Sequence, residues 1–121
     1  MTQIVRAGRT VTKGVVAFDI GWQGDLSGYD SVLWSMLITS PDGKETVQLG
    51  YQAFHGAFSG QFVRDRVTGR QEDLDGDADL RDAEITVRFP AERVGVAVEW
   101  PSWRAVISTD GDHVAEYIVA T

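Results

Sequence analysis

The stretch EDLDGDADLRD, residues 72–82, holds six acidic side chains, spaced almost every second position. Carboxylates at that density suit one chemistry above others: converging their oxygens on a hard cation such as Ca2+ at roughly 2.3–2.6 Å. An EF-hand loop needs Gly at its sixth position. With Gly76 there, the first position falls on Gln71, where an Asp is wanted, so the EF-hand is excluded. A looser cation site built from Asp73, Asp75, Asp77 and Asp79 is one reading. The other is an exposed edge strand and turn. Alternate residues of a strand share one face, and a row of like charges there blocks edge-to-edge pairing.

A second kind of chemistry lies in two aromatic, Gly-rich stretches, GWQGDLSGYD and YQAFHGAFSG. Flat rings stack on sugar faces, and amides, carboxylates and imidazoles bond hydroxyls. Trp22, Tyr29, Gln52, Phe54 and His55, with Trp100 further along, form the candidate ligand-binding set. Their loops could equally fold the rings back to plug one end of a β domain.

Catalytic patterns are scarce. The two histidines, His55 and His113, fall in turns. No Ser sits in a Gly-x-Ser-x-Gly elbow, and no His-x-x-x-His spacing exists. The chain has no Cys, which removes disulfides, thiol catalysis and Cys-type zinc sites. No residue is assigned a catalytic role. Arg64, Arg66 and Arg70 precede the acidic run and read as a cross-strand ladder of opposite charges or as an anion contact.

These groups need a scaffold, and composition bounds it. The chain has 121 residues, 43% of them hydrophobic, which is one domain with one core. Formal net charge is −7, and residues 72–84, with seven acids and Arg81, carry −6 of it. Nucleic-acid binding needs the reverse balance, a basic stripe that displaces phosphate counterions. The start, MTQIVRAGRTVTKG, has no apolar signal core. No apolar run reaches the roughly 18 residues that span a bilayer. As written, the chain is expected in the cytoplasm, and outside the cell if cut from a longer precursor.

Period-two alternation dominates the chain. TVTKGVVAF reads as one strand, and SVLWSMLIT puts Val32, Trp34, Met36 and Ile38 on one face. ETVQLGYQ turns Val47, Leu49 and Tyr51 inward, GQFVRDR adds Phe62 to the core, and AEITVRF adds Ile85, Val87 and Phe89. WRAVIST and HVAEYIVA form the last hairpin. SPDGK, VTGR and TDGDH are turns, and PAERVG is a single helical turn. Seven to nine strands follow. The acidic run is expected to lie along one of them, with its odd-numbered acids on one face.

The segment VQLGYQAFHGAFSGQFVRDRVTGRQEDLDGDADLRDAEITVRFP, followed by WRAVISTDGD, resembles the DOMON and family-nine carbohydrate-binding domains. The likeness lies in a Gly-Tyr strand, a Phe-Val strand, a strand ending in Phe-Pro, and a Trp-containing strand before an Asp-Gly turn. It implies a β-sandwich that binds sugars, haem or cell-surface ligands, often with calcium as a structural ion. The chain departs from the pattern in lacking a secretion signal and a Met/His pair placed to hold haem.

The expectation is a single all-β domain over residues 1–121, an antiparallel sandwich of jelly-roll or immunoglobulin-like type, with a small closed barrel as the alternative. Function is read as a non-catalytic binding or interaction module that contacts carbohydrate or a protein surface. Two other readings stand beside it. One is an oligomeric structural subunit, such as a phage decoration protein. The other is a small barrel enzyme enclosing an apolar substrate.

Overall fold

Glycine-bearing turns cut the chain into strands. The computed structural model describes residues 2–119. Lys13 and Gly14 turn β1 (Gln3–Thr12) back onto β2 (Val15–Gln23), with Thr12 opposite Val15. TVTKGVVAF is therefore a hairpin, not one strand. The period-two pattern runs on through Lys13 and Gly14, so alternation alone hid the reversal. The SPDGK turn joins β3 (Ser31–Thr39) to β4 (Thr46–Phe54) as expected, and Asp42 Oδ1 accepts from Ser40 Oγ at 2.6 Å and from the Lys44 amide at 3.0 Å. His55 and Gly56, both at positive φ (50° and 80°), close the two-residue hairpin from β4 to β5 (Ala57–Asp65). That backbone matches the twist of the strands it joins.

After β5 come β6 (Gln71–Leu74), β7 (Ala78–Leu80) and β8 (Glu84–Pro90). A single helical turn α1 (Ala91–Val94) and a 3-10 turn (Gly95–Glu99) lead to β9 (Ser102–Thr109) and β10 (Asp112–Val119). The described residues form ten strands, more than the seven to nine expected. The final residue of HVAEYIVA, Ala120, lies outside the described residues. All pairings are antiparallel. One sheet runs β1-β2-β8-β7 and the other β10-β9-β3-β4-β5-β6. The two pack face to face as an open sandwich, so the closed barrel is set aside.

The acidic run crosses between the sheets. β6 belongs to the six-stranded sheet and β7 to the four-stranded one, and Asp75, Gly76 and Asp77 make the passage. The four odd-numbered acids thus do not share the face of one strand. Gln61 fixes the crossing. Its amide is buried between the sheets, donating from Nε2 to the Arg88 carbonyl at 2.7 Å and accepting at Oε1 from the Asp77 amide at 2.8 Å. A buried amide is tolerated when both of its ends are bonded.

The core follows the alternation. Val16, Phe18 and Ile20 of β2 and Ile85, Val87 and Phe89 of β8 face Val32, Trp34, Met36, Ile38, Leu49, Tyr51, Ala105 and Ile107 of the other sheet. Phe62 is the exception among the aromatics expected inside. It lies on the outer face over Gly50, where an added Cβ would collide with the ring. Trp22 differs in the other direction: it is a buried strand residue of β2, not part of a loop.

Candidate functional site

Strand register divides the sandwich into two ends. At one, α1 and the 3-10 turn bury Val94, Ala97 and Val98 and close the core. At the other, β2 stops at Gln23, β3 starts at Ser31, β8 starts at Glu84, and only loops cover the space between the sheets. A cleft of about 660 Å³ opens there. Its floor is Trp22, Trp34, Val32 and Ala53. Its walls are the 24–30 loop, the His55–Gly56 turn and the Leu80–Asp82 turn. That volume falls within the range of small-molecule sites.

Local hydrogen bonds hold each wall. Asp25 Oδ1 accepts from the Ser27 amide at 2.9 Å and from Ser27 Oγ at 2.6 Å, an Asx turn that shapes the loop after β2. These two donors hold the Asp25 carboxyl below the usual carboxylate range. The His55 amide donates to the Asp30 carbonyl at 2.8 Å, tying the hairpin tip to the loop. The His55 ring stands 3.6 Å from Asp30 Oδ1. Asp110 Oδ1 accepts from the Ser31 amide at 2.9 Å, and the Trp22 amide donates to the Ala83 carbonyl at 2.9 Å. Arg81 turns away to Glu84, Nε to Oε1 at 2.9 Å, and Arg6 reaches the same carboxylate at 2.6 Å.

The floor has an unusual feature. The Trp22 and Trp34 rings lie 5.5 Å apart, tilted at 41°. Both indole Nε1–H groups are buried and have no acceptor among the described residues. A buried donor without a partner costs about 1–3 kcal/mol. Both lie beneath the floor, with almost no accessible surface of their own.

Three of the six residues expected to bind ligand come together in this cleft: Trp22, Tyr29 and His55. Their roles differ from the expectation. Trp22 is only 4% exposed and offers almost no face for stacking, whereas Tyr29 is 39% exposed and does. Phe54 is at the rim, its ring 4.4 Å from that of His55, but does not line the cleft. Gln52 alternates with the inward Tyr51 and Ala53, so it faces outward from β4. Trp100 lies at the closed end, where its carbonyl accepts from Arg9 at 2.8 Å.

The expected cation ligands are spread out. Asp73 is on β6 and accepts from Gln71 at 2.8 Å, Asp75 is in the crossing, and Asp77 and Asp79 both bind Arg88, at 3.1 and 2.5 Å. Among the described residues, no three His, Cys, Asp or Glu side chains gather where they could hold a metal ion. Arg64 and Arg66 do not pair with this run in the described residues. Arg64 lies opposite Gln71, Arg66 reaches Gln48, and Glu72 binds Arg93.

Sequence reading missed Asp25, Asp30, Trp34, Leu80, Arg81 and Asp82 as cleft residues. They come from three separate segments, and only the sheet topology joins them. The one usable signal was the Gly-Asp and Gly-Tyr-Asp pairs inside GWQGDLSGYD, which place carboxylates beside an aromatic ring. No protein-family model, curated protein or solved structure matches the chain.

Proposed function

We propose that the chain is a non-catalytic binding module for a hydroxyl-rich ligand, with carbohydrate the favoured class. The observation that carries this reading is the cleft itself: an aromatic floor walled by carboxylates, an imidazole and the exposed ring of Tyr29. Hydroxyl groups both donate and accept, so one sugar can meet the carboxylates and the imidazole together. Tyr29 supplies the apolar face that sugar rings stack on. The groups lack the order that nucleophilic catalysis needs. Ser27 Oγ donates to the Asp25 carboxylate, a weak base held below the usual carboxylate range, and not to the His55 imidazole. The resemblance to carbohydrate-binding β-sandwiches supports the same ligand class.

Titration calorimetry and intrinsic tryptophan fluorescence against a panel of oligosaccharides test this. Saturable binding with a shift in emission is expected, and Tyr29→Ala should weaken it about tenfold. Release of shorter sugars during incubation, or an unchanged affinity in Tyr29→Ala, would count against a binding module that stacks on Tyr29.

A second reading, an assembly subunit, draws on the edge strand β10. Ile118 there is 72% exposed beside Tyr117, on the terminal strand of its sheet. Light scattering separates this reading: a concentration-independent monomer is expected if β10 has no partner copy.

A further inference from the structure

Two sheets give the sandwich two outer faces, and their centres differ. In the four-stranded sheet the middle strands are β2 and β8. Their outward residues include Asp19, Glu84 and Arg88, which alternate with the inward Phe18, Ile20, Ile85, Val87 and Phe89. In the six-stranded sheet the middle strands are β3 and β4. Neither SVLWSMLIT nor TVQLGYQAF holds a charged residue.

A strand with one wet face should turn polar side chains outward. β3 instead turns out Leu33, Ser35 and Leu37. Register sets Ser35 beside Val106 of β9, and Leu37 beside Arg104. Leu37 and Val106 are buried, yet both lie outside the core between the sheets. Across β4 the surface stays low. Phe62 lies down over Gly50, and Gln48 bends to donate to Ser35 Oγ at 3.1 Å. Ile118 stands exposed at the margin.

Charge surrounds this uncharged centre. Among the described residues, the Asp, Glu, Lys and Arg side chains that the strands present on this face are Arg64, Asp73, Arg104 and Glu116, on β5, β6, β9 and β10. Their charges cancel. Arg66 adds a positive charge at one corner, where it donates to Gln48 Oε1 at 3.3 Å. The whole chain carries −7. Two copies therefore repel one another least where they meet through this sheet. The area also suffices. Six strands about 4.8 Å apart span about 24 Å, and nine-residue strands run about 30 Å. The face offers about 700 Å², so two copies would cover about 1,400 Å², inside the range of roughly 1,200–2,000 Å² for stable interfaces.

We propose that the outer face of the six-stranded sheet is the contact of a two-fold symmetric dimer, in which β3 and β4 of one copy pack on those of a second. A two-fold contact uses the same patch twice. The uncharged centres meet, and the arginines of one rim face the acids of the other. Such a dimer is independent of sugar binding and gives the assembly reading a surface. The cleft stays open in it, because the cleft lies at the strand ends and not on the sheet face.

Sedimentation velocity and light scattering on the full chain test this, over about 1 to about 300 µM protein. A dimer with a Kd of about 10 µM or tighter is expected. It should tighten with added salt, which screens the repulsion between two acidic chains. Two glycines give matched variants. Gly60 lies on this face opposite Gln52, and Gly8 lies on the outer face of the other sheet opposite Asp19. Both have open space where a Cβ would go. Gly60→Lys should weaken the dimer about tenfold or more, because the interface would bury an ammonium without a partner. Gly8→Lys adds the same charge and should leave the dimer unchanged. Circular dichroism and thermal melts show that both variants are folded. A monomer at every concentration overturns the dimer and the assembly reading with it. A dimer that Gly60→Lys leaves intact keeps the assembly reading and overturns this face, since Gly60 lies on β5, four strands from β10. Equal weakening by both variants would show that the contact is not confined to this sheet, and would overturn it as well.

Discussion

The two ends of the sandwich are built from the same strands and the same alternation, yet one is sealed and the other open. At the sealed end, Phe18 packs edge-on against Phe89 and Trp103, with ring centres 6.2 and 5.1 Å apart, and the α1 and 3-10 segment lays Val94, Ala97 and Val98 over them. None of those rings needs a polar partner except the single indole of Trp103. At the open end the aromatic row is Trp22, Trp34, Tyr51 and Phe58, at 5.5, 6.3 and 5.5 Å between successive centres. Two of those rings carry buried N–H groups with no partner among the described residues. The sealed end is organised for packing alone. The open end buries two unbonded donors beneath its floor and places Asp25, Asp30 and Asp82 along its walls. A second, smaller depression of about 390 Å³ does occur at the sealed end, beside Val47 and Val94, and two of its charged side chains are tied together in the Arg93–Glu72 ion pair.

The largest effect should come from the sealed end and touch stability only. Phe89 is fully buried, and Phe89→Ala should cost about 3–5 kcal/mol through lost transfer energy and the cavity left behind. Its partner experiment at the open end is Trp34→Phe. That change also opens space, but it removes an unbonded buried donor, so the two terms oppose each other and the net cost should fall to about 1 kcal/mol. Urea midpoints at constant slope give both values. Equal losses at the two positions would mean that the Trp34 N–H is satisfied in solution, and the contrast between the ends would lose its basis.

An intermediate effect comes from a matched pair of glycines. Gly14 at the sealed end and Gly56 at the open end have nearly the same backbone, φ of 78° and 80°, and open space where a Cβ would go. Changing either to Ala should cost about 1–2 kcal/mol, because a Cβ disfavours the left-handed region. The strain is equal but its location is not. Gly56 adjoins His55 in the cleft wall, so Gly56→Ala should weaken ligand binding in the folded protein, while Gly14→Ala should leave it intact. Thermal melts check the first statement and titrations the second. A loss of affinity in Gly14→Ala would show that the ends are not independent.

The same contrast explains what could be read without the fold. Alternation placed Val32, Trp34, Met36, Ile38, Ile85, Val87 and Phe89 inward, because a strand with one buried face repeats every two residues wherever it lies. The sealed end was legible for that reason, including the helical turn that begins after Pro90. The rule is local, and it failed where the chain changes sheets. Asp73, Asp75, Asp77 and Asp79 keep a period of two while passing from β6 to β7, so spacing suggested a single strand where there is a crossing. Gln61, which pins that crossing, looked like an ordinary polar strand residue. The cleft was half visible. Tyr29 and His55 stand out as aromatic or ionisable residues in Gly-rich sequence, whereas Asp82, in the β7–β8 turn, and Trp34, on β3, enter only because the two sheets bring them to the same cleft.

The smallest effect concerns the acidic crossing, which links the two sheets along one edge. Arg88 donates to Asp79 at 2.5 Å and to Asp77 at 3.1 Å, and its guanidinium holds the Asp79 carboxyl below the usual carboxylate range, chiefly by the hydrogen bond and then by charge. A carboxyl depressed in the folded state contributes stability above its unfolded pKa, near 3.9, and loses it as pH falls through the lower folded value. Arg88→Gln should therefore be slightly less stable than the parent chain from about pH 5 upward, and the gap should close below about pH 4 as Asp79 takes up a proton in both proteins. The Gln61 bond survives in the variant because it uses the backbone carbonyl of residue 88, so the measurement isolates the side chain. Screening keeps the effect small, since all three partners are substantially exposed, and added salt should reduce it further. Denaturation midpoints across that pH range decide the matter. A gap that persists unchanged to about pH 2.5 would show that Arg88 acts by packing its stem on the sheet, and the acids of the crossing would then be as unanswered as those of the cleft.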